Sequence, residues 1–406
     1  MGKGGTGKTT LACATAISRA RAGERVLLAS IDQAHSLGDA LDVNIPHEPG
    51  TTAGVRTLSD GLDIIEIDTL ALLEDRFRGI STMLSMGEGH NHGAEFGTLD
   101  PAELTGLPGA QQLLGLSEIV ELADDDAWDI VIVDCAATAE TLSTLASPES
   151  LLGYLERIWP QHKRVTAAIG TDLQMAVVVA ATERIAKSVA VVRDLLVDRT
   201  RTGARLVTVP ERVTLAETAR IRSASALLGL RLDAVVVNKV LPPLDPPGVP
   251  QTDDGHPAIR WYRSRRREQL EVIADLERAM GDVPIVTAQH TGPEPVGLAA
   301  LGALAYSVSV DPGSASRDED PTTVAVELES GTGLESVYAM RMYLPVAQPS
   351  SLRLGRVEDD LIVGADGIRR RVRLASVLRR CTVAGAELEG DRLVVRFQPD
   401  ASVWPR

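Results

Sequence analysis

Through the first three quarters of the chain, short apolar runs alternate with longer amphipathic stretches. Residues 11–22 are alanine-rich, with apolar side chains three and four apart. Gly23 follows, which predicts a helix closed by glycine. Residues 25–31 (RVLLASI) form an apolar run between polar residues, the pattern of a strand buried on both faces. Runs at 63–67, 129–133, 205–209 and 234–237 predict four more strands, and helical patterns lie between them at 110–122, 150–158 and 165–197. Strands alternating with helices imply a parallel sheet covered on both faces. From Leu334 the period drops to two: MRMYLPV, SLRLGRV, LIVGADGIRRRVRL and RLVVRF read as short strands, with Asp366-Gly367 and Gly390-Asp391 as hairpin turns. The expected organisation is an α/β domain over 1–311 with helical insertions at about 70–125 and 147–200, a linker over 312–333, and a small antiparallel β-domain over 334–406. Residues 78–101 are glycine-rich and irregular, a candidate lid; Met83, Leu84 and Met86 within them suit either an adaptable apolar surface or ordinary packing. Residues 245–257 read as a proline- and acid-rich loop.

Composition narrows the function classes. The 406 residues are 44% hydrophobic and 24% charged, enough for two or three domains with real cores. No apolar run approaches the length of a membrane span. A net charge of −15 argues against non-specific nucleic-acid binding. Cys13, Cys135 and Cys381 are far apart and odd in number, which speaks against a disulfide framework or a CxxC zinc clip and fits a reduced cytoplasm. His90, Asn91 and His92 lie in the glycine-rich stretch and read as solvated loop residues. Only five lysines occur, and two of them, Lys3 and Lys8, lie within the first eight residues.

Those two lysines belong to GKGGTGKT at 2–9, which fits G-x-x-x-x-G-K-[ST], the phosphate-binding loop. Glycines let backbone N–H groups converge on phosphate oxygens, Lys8 is placed for the β/γ-phosphates, Thr9 for Mg²⁺, and the following helix points its positive end at the anion. A strand ordinarily precedes such a loop; the expectation is that the natural protein begins about 6–10 residues upstream, with an apolar segment of strand length.

Lys3 turns the loop into the deviant form KGGxGKT. With it, IDQAHSLGDAL at 31–41, VIVDCAATAETL at 131–142, PERVTLAETAR at 210–220 and VVVNKVLP at 235–242, the chain resembles the arsenite-pump and tail-anchored-protein targeting ATPases (the ArsA and Get-pathway family) over roughly 300 residues. The C-terminal β-segment resembles the small-heat-shock-like (α-crystallin-like) domain appended to some members. The resemblance implies a P-loop NTPase fold with an inserted helical subdomain. It implies a homodimeric ATPase using ATP and Mg²⁺ that binds or targets a hydrophobic protein client, with a membrane partner protein and no nucleic acid. By the same resemblance Lys3 would reach the partner's phosphates across the dimer. Gly4, Gly5, Thr6, Gly7, Lys8, Thr9 and Thr10 would bind phosphate, and Thr9 would ligate Mg²⁺ directly. Asp134 would hold the metal through water, Asp32 would orient or polarise the attacking water, Asn238 would read the adenine edge, and Glu211 would lie at the nucleoside. Plainer alternatives are a helix cap for Asp32, a strand end for Asp134 and a turn for Asn238. The sequence departs from the family where Gln33 replaces the usual proline of switch I, and where Ala137, Ala139 and Glu140 replace proline, glycine and histidine of switch II. No structural zinc is expected, and the tandem duplication of the pump subunit is absent. The alternative functions are the ATPase subunit of an anion (arsenite-type) efflux system and a non-catalytic ATP-binding regulator.

Overall fold

The computed structural model describes residues 1–32, 36–45, 54–85, 110–124, 126–135, 142, 152–153, 155–157, 159–168, 173–244, 256–305, 324–346 and 348–404. It divides into two compact units, Met1–Leu196 with Thr291–Ser309, and Val197–His290 with Val310–Arg406.

In the first unit, helix α1 (Lys8–Arg21) follows the glycine loop and buries Leu11, Cys13, Ala14, Ala16 and Ile17. Small side chains on that face allow close approach to the sheet. Gly23, at φ 92°, turns the chain into β1 (Val26–Ser30). This VLLAS strand is buried along its whole length. The reason is its central place: it pairs in parallel with β3 (Leu62–Glu66) on one side and β4 (Ile130–Asp134) on the other. β2 (Arg56–Ser59), which the apolar pattern did not mark because three of its four residues are exposed, adds antiparallel to β3 through Gly61. The order is β2-β3-β1-β4. Helix α2 (Ser36–Leu41) lies between β1 and β2 in the chain, α3 (Thr69–Ser85) follows β3, and α4 (Ala110–Ala123) precedes β4. Residues 78–85 are thus helical where an irregular segment was expected; positions 86–109 lie outside the described residues, and with them Met86, His90, Asn91 and His92. The 165–197 pattern resolves into parts of two helices, α5 (Gln161–Ala168) and α6 (Leu173–Val197).

The second unit opens with a parallel sheet of β5 (Ala204–Thr208), β6 (Leu232–Val240) and β7 (Ile285–Gln289), with β6 central. Helices α7 (Arg212–Leu228) and α8 (Pro257–Met280) connect the strands. The last helix of the α/β region, α9 (Gly297–Ala305), belongs to the first unit, where its Leu301 shares a core with Ile17, Val26 and Leu37.

The C-terminal part of the second unit is a pair of antiparallel sheets. One has the order β13-β14-β9-β8 and the other β10-β11-β12. Their ranges are β8 (Ala325–Ser330), β9 (Val337–Tyr343), β10 (Arg353–Val357), β11 (Asp360–Ala365), β12 (Ile368–Arg373), β13 (Cys381–Glu389) and β14 (Arg392–Pro399). β8 lies wholly within the stretch read as linker, and β13 carried no clear alternation because most of it is exposed on both faces. Asp366 (φ 50°) and Gly367 (φ 90°) form the expected tight turn between β11 and β12. The shared core holds Met340, Leu361, Val363, Val395 and Phe397, and it also holds Leu227 of α7, fully buried. Around that contact Arg222 reaches the Tyr343 hydroxyl (2.9 Å), Asp391 (2.8 Å) and the Ala279 carbonyl (3.3 Å). The Ser223 hydroxyl donates to the Pro345 carbonyl at 2.6 Å, and Arg370 donates to the Leu227 carbonyl at 2.9 Å. The β-domain is therefore built onto the last turns of α7.

Leu227→Ala should cost about 2–5 kcal/mol, the range for deleting a buried leucine in a packed core. Trp404 packs on the same core, its ring centroid 6.1 Å from that of Tyr338. Its fluorescence transition in denaturant should move to lower concentration in the variant. A transition that stays where it was would mean that the β-domain is stable without α7.

Candidate functional site

Three strands of the first unit end in one row. The register sets Ser30 opposite Glu66 on one side and opposite Asp134 on the other. In a parallel α/β sheet, ligands bind beyond these carboxyl ends, and here the row faces the glycine loop.

The loop is shaped by backbone geometry only glycine tolerates. Gly5 (φ 78°) and Gly7 (φ 89°) are left-handed. Thr6 closes the turn, its N–H and hydroxyl both directed at the Lys3 carbonyl at 3.4 and 2.8 Å. Gly7 stands at the N-cap of α1 with no side-chain cap, and the first turn carries no acidic residue. The first-turn N–H groups and positive end of such a helix suit an anion. The Lys8 ammonium lies 3.5 Å from the Lys3 carbonyl, and the Lys3 side chain is exposed. Gly4 borders open space, and Thr10 continues the first turn of α1.

Thr9 joins three elements. Its hydroxyl donates to Asp134 Oδ2 at 2.6 Å and lies 3.1 Å from the Ser36 hydroxyl at the start of α2. Asp134 is 2% exposed. Burial pushes its carboxyl above the ordinary range, and Asp32 adds to the rise; the Thr9 hydrogen bond and the Lys8 charge oppose it. Asp32 follows β1 by two residues, its N–H 3.3 Å from the Ser30 hydroxyl. A hydroxyl and a carboxylate at a phosphate loop are hard oxygen donors. They suit Mg²⁺, which keeps several waters and takes the rest of its shell from phosphate.

Glu66 was not recognised in the sequence. It is 2% exposed, and its Oε1 accepts the N–H groups of Leu37 (3.0 Å) and Gly38 (3.3 Å). It thereby caps α2 from the end of a neighbouring strand. The available signal was a carboxylate closing an otherwise apolar run, LDIIE, but the partner in α2 is 29 residues away.

The remaining expected residues lie in the second unit, at the ends of adjacent strands. Asn238 is buried in β6, where the pairing with β7 shifts register; its Oδ1 accepts the Lys239 N–H at 2.9 Å, and Lys239 is left-handed (φ 60°). Gln269 of α8 holds this bend through the Leu241 N–H (2.9 Å) and the Lys239 carbonyl (3.3 Å). Glu211 stands at the N-cap of α7 and is ion-paired with Arg265 of α8 at 3.3 Å. Gln33 and His35 of the first switch, and Ala137, Ala139 and Glu140 of the second, lie outside the described residues. Burial pushes the thiols of Cys13, Cys135 and Cys381 up, and the Asp134 charge adds to the effect at Cys13 and Cys135. Among the described residues no three His, Cys, Asp or Glu side chains gather as a metal-binding group, and no helix is long and apolar enough to cross a membrane.

Comparison with known proteins agrees with this geometry. Residues 1–309 match the anion-transporting ATPase (ArsA) family, and residues 335–397 match the HSP20-like domain found in ArsA. A Mycobacterium tuberculosis protein, Protein Rv2184c, is 45% identical over 412 residues, covering 100% of this chain and 96% of its own. An Aquifex aeolicus protein, named provisionally as an arsenical pump-driving ATPase, is 26% identical over 404 residues, covering 97% of this chain and 98% of its own. An Entamoeba dispar protein named as an ATPase ASNA1 homolog is 27% identical over 320 residues, covering 75% and 90%.

The raised pKa of Asp134 has a thermodynamic consequence. A carboxyl with a higher pKa folded than unfolded favours folding while protonated, and that contribution is lost as pH rises through the folded-state value. Without metal and nucleotide, Asp134→Asn should therefore raise the thermal midpoint at pH 8 by roughly 2 °C or more and change it little at pH 4. Equal shifts at both pH values, measured by calorimetry, would mean that the Asp134 charge does not destabilise the fold.

Proposed function

The chain belongs to the anion-transporting ATPase family, and we propose that it works as a homodimer whose two ATP-hydrolysing sites drive the capture or targeting of a hydrophobic protein client in the cytoplasm, handing it to a membrane partner protein. The observation that carries this reading is the Thr9 hydroxyl set between Asp134 and Ser36. It ties the phosphate loop to the segment that follows Asp32, so a change at the phosphates is felt by α2.

In this reading Gly4 to Gly7 and Thr10 wrap the phosphates, and Lys8 neutralises the β/γ oxygens. Thr9 would hold Mg²⁺ directly and Asp134 would hold it through water, and the metal would supply charge neutralisation at the phosphates. Asp32 takes the proton of a water that attacks the γ-phosphorus in line as the bond to the β–γ bridging oxygen breaks. Lys3, exposed and not needed to balance its own loop, serves the partner's site. Such a cation delivered in trans can be worth roughly 10³–10⁵ in rate. Glu211 and Asn238 contact the nucleoside. Glu66 holds the first turn of α2.

Asp32→Asn should leave ATP binding near normal and reduce turnover by roughly 10²-fold or more, the scale of a positioned acid–base group. Lys3→Ala should likewise bind ATP and hydrolyse it poorly. Mixed dimers of the two variants decide whether Lys3 acts across the interface. If it does, one site of each mixed dimer loses both groups and the other keeps both, so turnover returns in part. No recovery in proven mixed dimers would place Lys3 at its own site.

Names among the relatives favour a second reading, the ATPase of an arsenite-type efflux system. Arsenite needs two or three thiolates, and all three thiols here are pushed toward the protonated form by burial. Arsenite or antimonite should leave ATP turnover unchanged. Several-fold stimulation that disappears in Cys135→Ser would favour efflux instead.

A further inference from the structure

The β10-β11-β12 sheet presents an outward face of unusual charge for a chain of net charge −15. The register places Arg353, Gly364 and Arg369 in one cross-strand row, Arg371 in the next and Arg373 in the third, all on the same side. The opposite side carries Leu361, Val363 and Val372, which are buried in the core, and Arg370, bonded to the Leu227 carbonyl. Those inner contacts fix which way the strands face, so the four arginines have to point outward. The only carboxylate in these rows is Asp360, and it is ion-paired with Arg371.

On this side the middle strand presents Gly364, Ile362 and Asp360. Gly355 and Gly364 lack side chains, and a Cβ on Gly364 would come within 3.3 Å of the Arg369 side chain and 3.6 Å of Arg353 Cβ. Arg353 and Arg369 therefore close over Gly364, which is buried between them. Along β12, alternate residues are about 6.6–6.8 Å apart, the same spacing as alternate side chains of any extended chain laid alongside.

We infer that this face docks an extended segment of a partner protein carrying acidic side chains at alternate positions. Guanidinium forks bind carboxylates two hydrogen bonds at a time, which favours such a ligand over diffuse attraction. Long polyanions fit less well. DNA carries one charge per about 1.7 Å of axis and would project beyond the patch toward a chain that is acidic elsewhere. The rows contain no aromatic residue on which a base could stack. A short peptide sees mainly the local field, because salt screens charges beyond about 8 Å.

The test uses the full chain and a fluorescent ten-residue peptide alternating Glu and Thr, read by anisotropy. The peptide should bind, more weakly as salt rises. The double variant Arg369→Ala, Arg373→Ala should weaken binding about tenfold, which corresponds to about 1.4 kcal/mol, with ATP turnover and thermal midpoint unchanged. The charge-keeping double variant Arg369→Lys, Arg373→Lys should fall between the two and guards against misfolding of the alanine form. Ten-nucleotide oligothymidylate and phosphatidylserine vesicles should bind less tightly and be insensitive to both variants. Peptide binding that is absent, or unaffected by the substitutions, overturns the inference. Tighter binding of the oligonucleotide or the vesicles that depends on these arginines overturns it too, by assigning the face to another polyanion.

Discussion

A threonine hydroxyl 2.6 Å from a carboxylate that is almost wholly removed from water ties the glycine loop and its helix to the ends of the first sheet. A buried carboxylate without a partner is expensive, and Thr9 supplies the hydrogen bond while Lys8 supplies the charge. Because Thr9 is the second residue of α1 and Asp134 the last of β4, the contact seats the helix over the strand ends. The glycine loop before α1 inherits its position from it. The same hydroxyl touches Ser36, so the helix after Asp32 is placed by the same atom.

Two buried acids hold this end of the sheet, and they are supported differently. Glu66 receives two backbone N–H groups from α2, a neutralisation built from helix-end dipoles. Asp134 receives one hydroxyl and remains under strain from burial and from Asp32. The less satisfied acid is the one set beside the phosphate loop, where a cation can complete it. Sites that bind charge are commonly left electrostatically incomplete in this way.

The second unit follows a different logic. Helix α7 begins at the end of a parallel strand, with Glu211 at its N-cap, and ends inside the core of an antiparallel sandwich, with Leu227 fully buried. One helix thus belongs to two architectures. The arginines divide accordingly. Arg222 and Arg370 turn inward to satisfy groups at the junction, whereas Arg353, Arg369, Arg371 and Arg373 face out.

Local patterns revealed the parts whose causes are local. Gly5 and Gly7 announced the loop because only glycine adopts its backbone angles, the uninterrupted apolar run announced β1 because it is central, and Asp366-Gly367 announced its turn. Position along the chain was also enough to set Asp32 and Asp134 at strand ends. Strands β2, β8 and β13 escaped because they sit at sheet edges, where exposed residues carry no alternation, and residues 78–85 escaped because their glycine and serine content masks a helix. Glu66 capping a helix 29 residues away, Thr9 meeting Asp134 across 125 residues, and Leu227 completing a core that lies after residue 324 are contacts between segments with no shared local pattern. The sequence by itself determined the fold class, the phosphate loop and the family. Only the tertiary structure decided which buried carboxylate meets which donor and which face of β12 is left to solvent, because those follow from which elements pack together and not from the order of residues within any one of them.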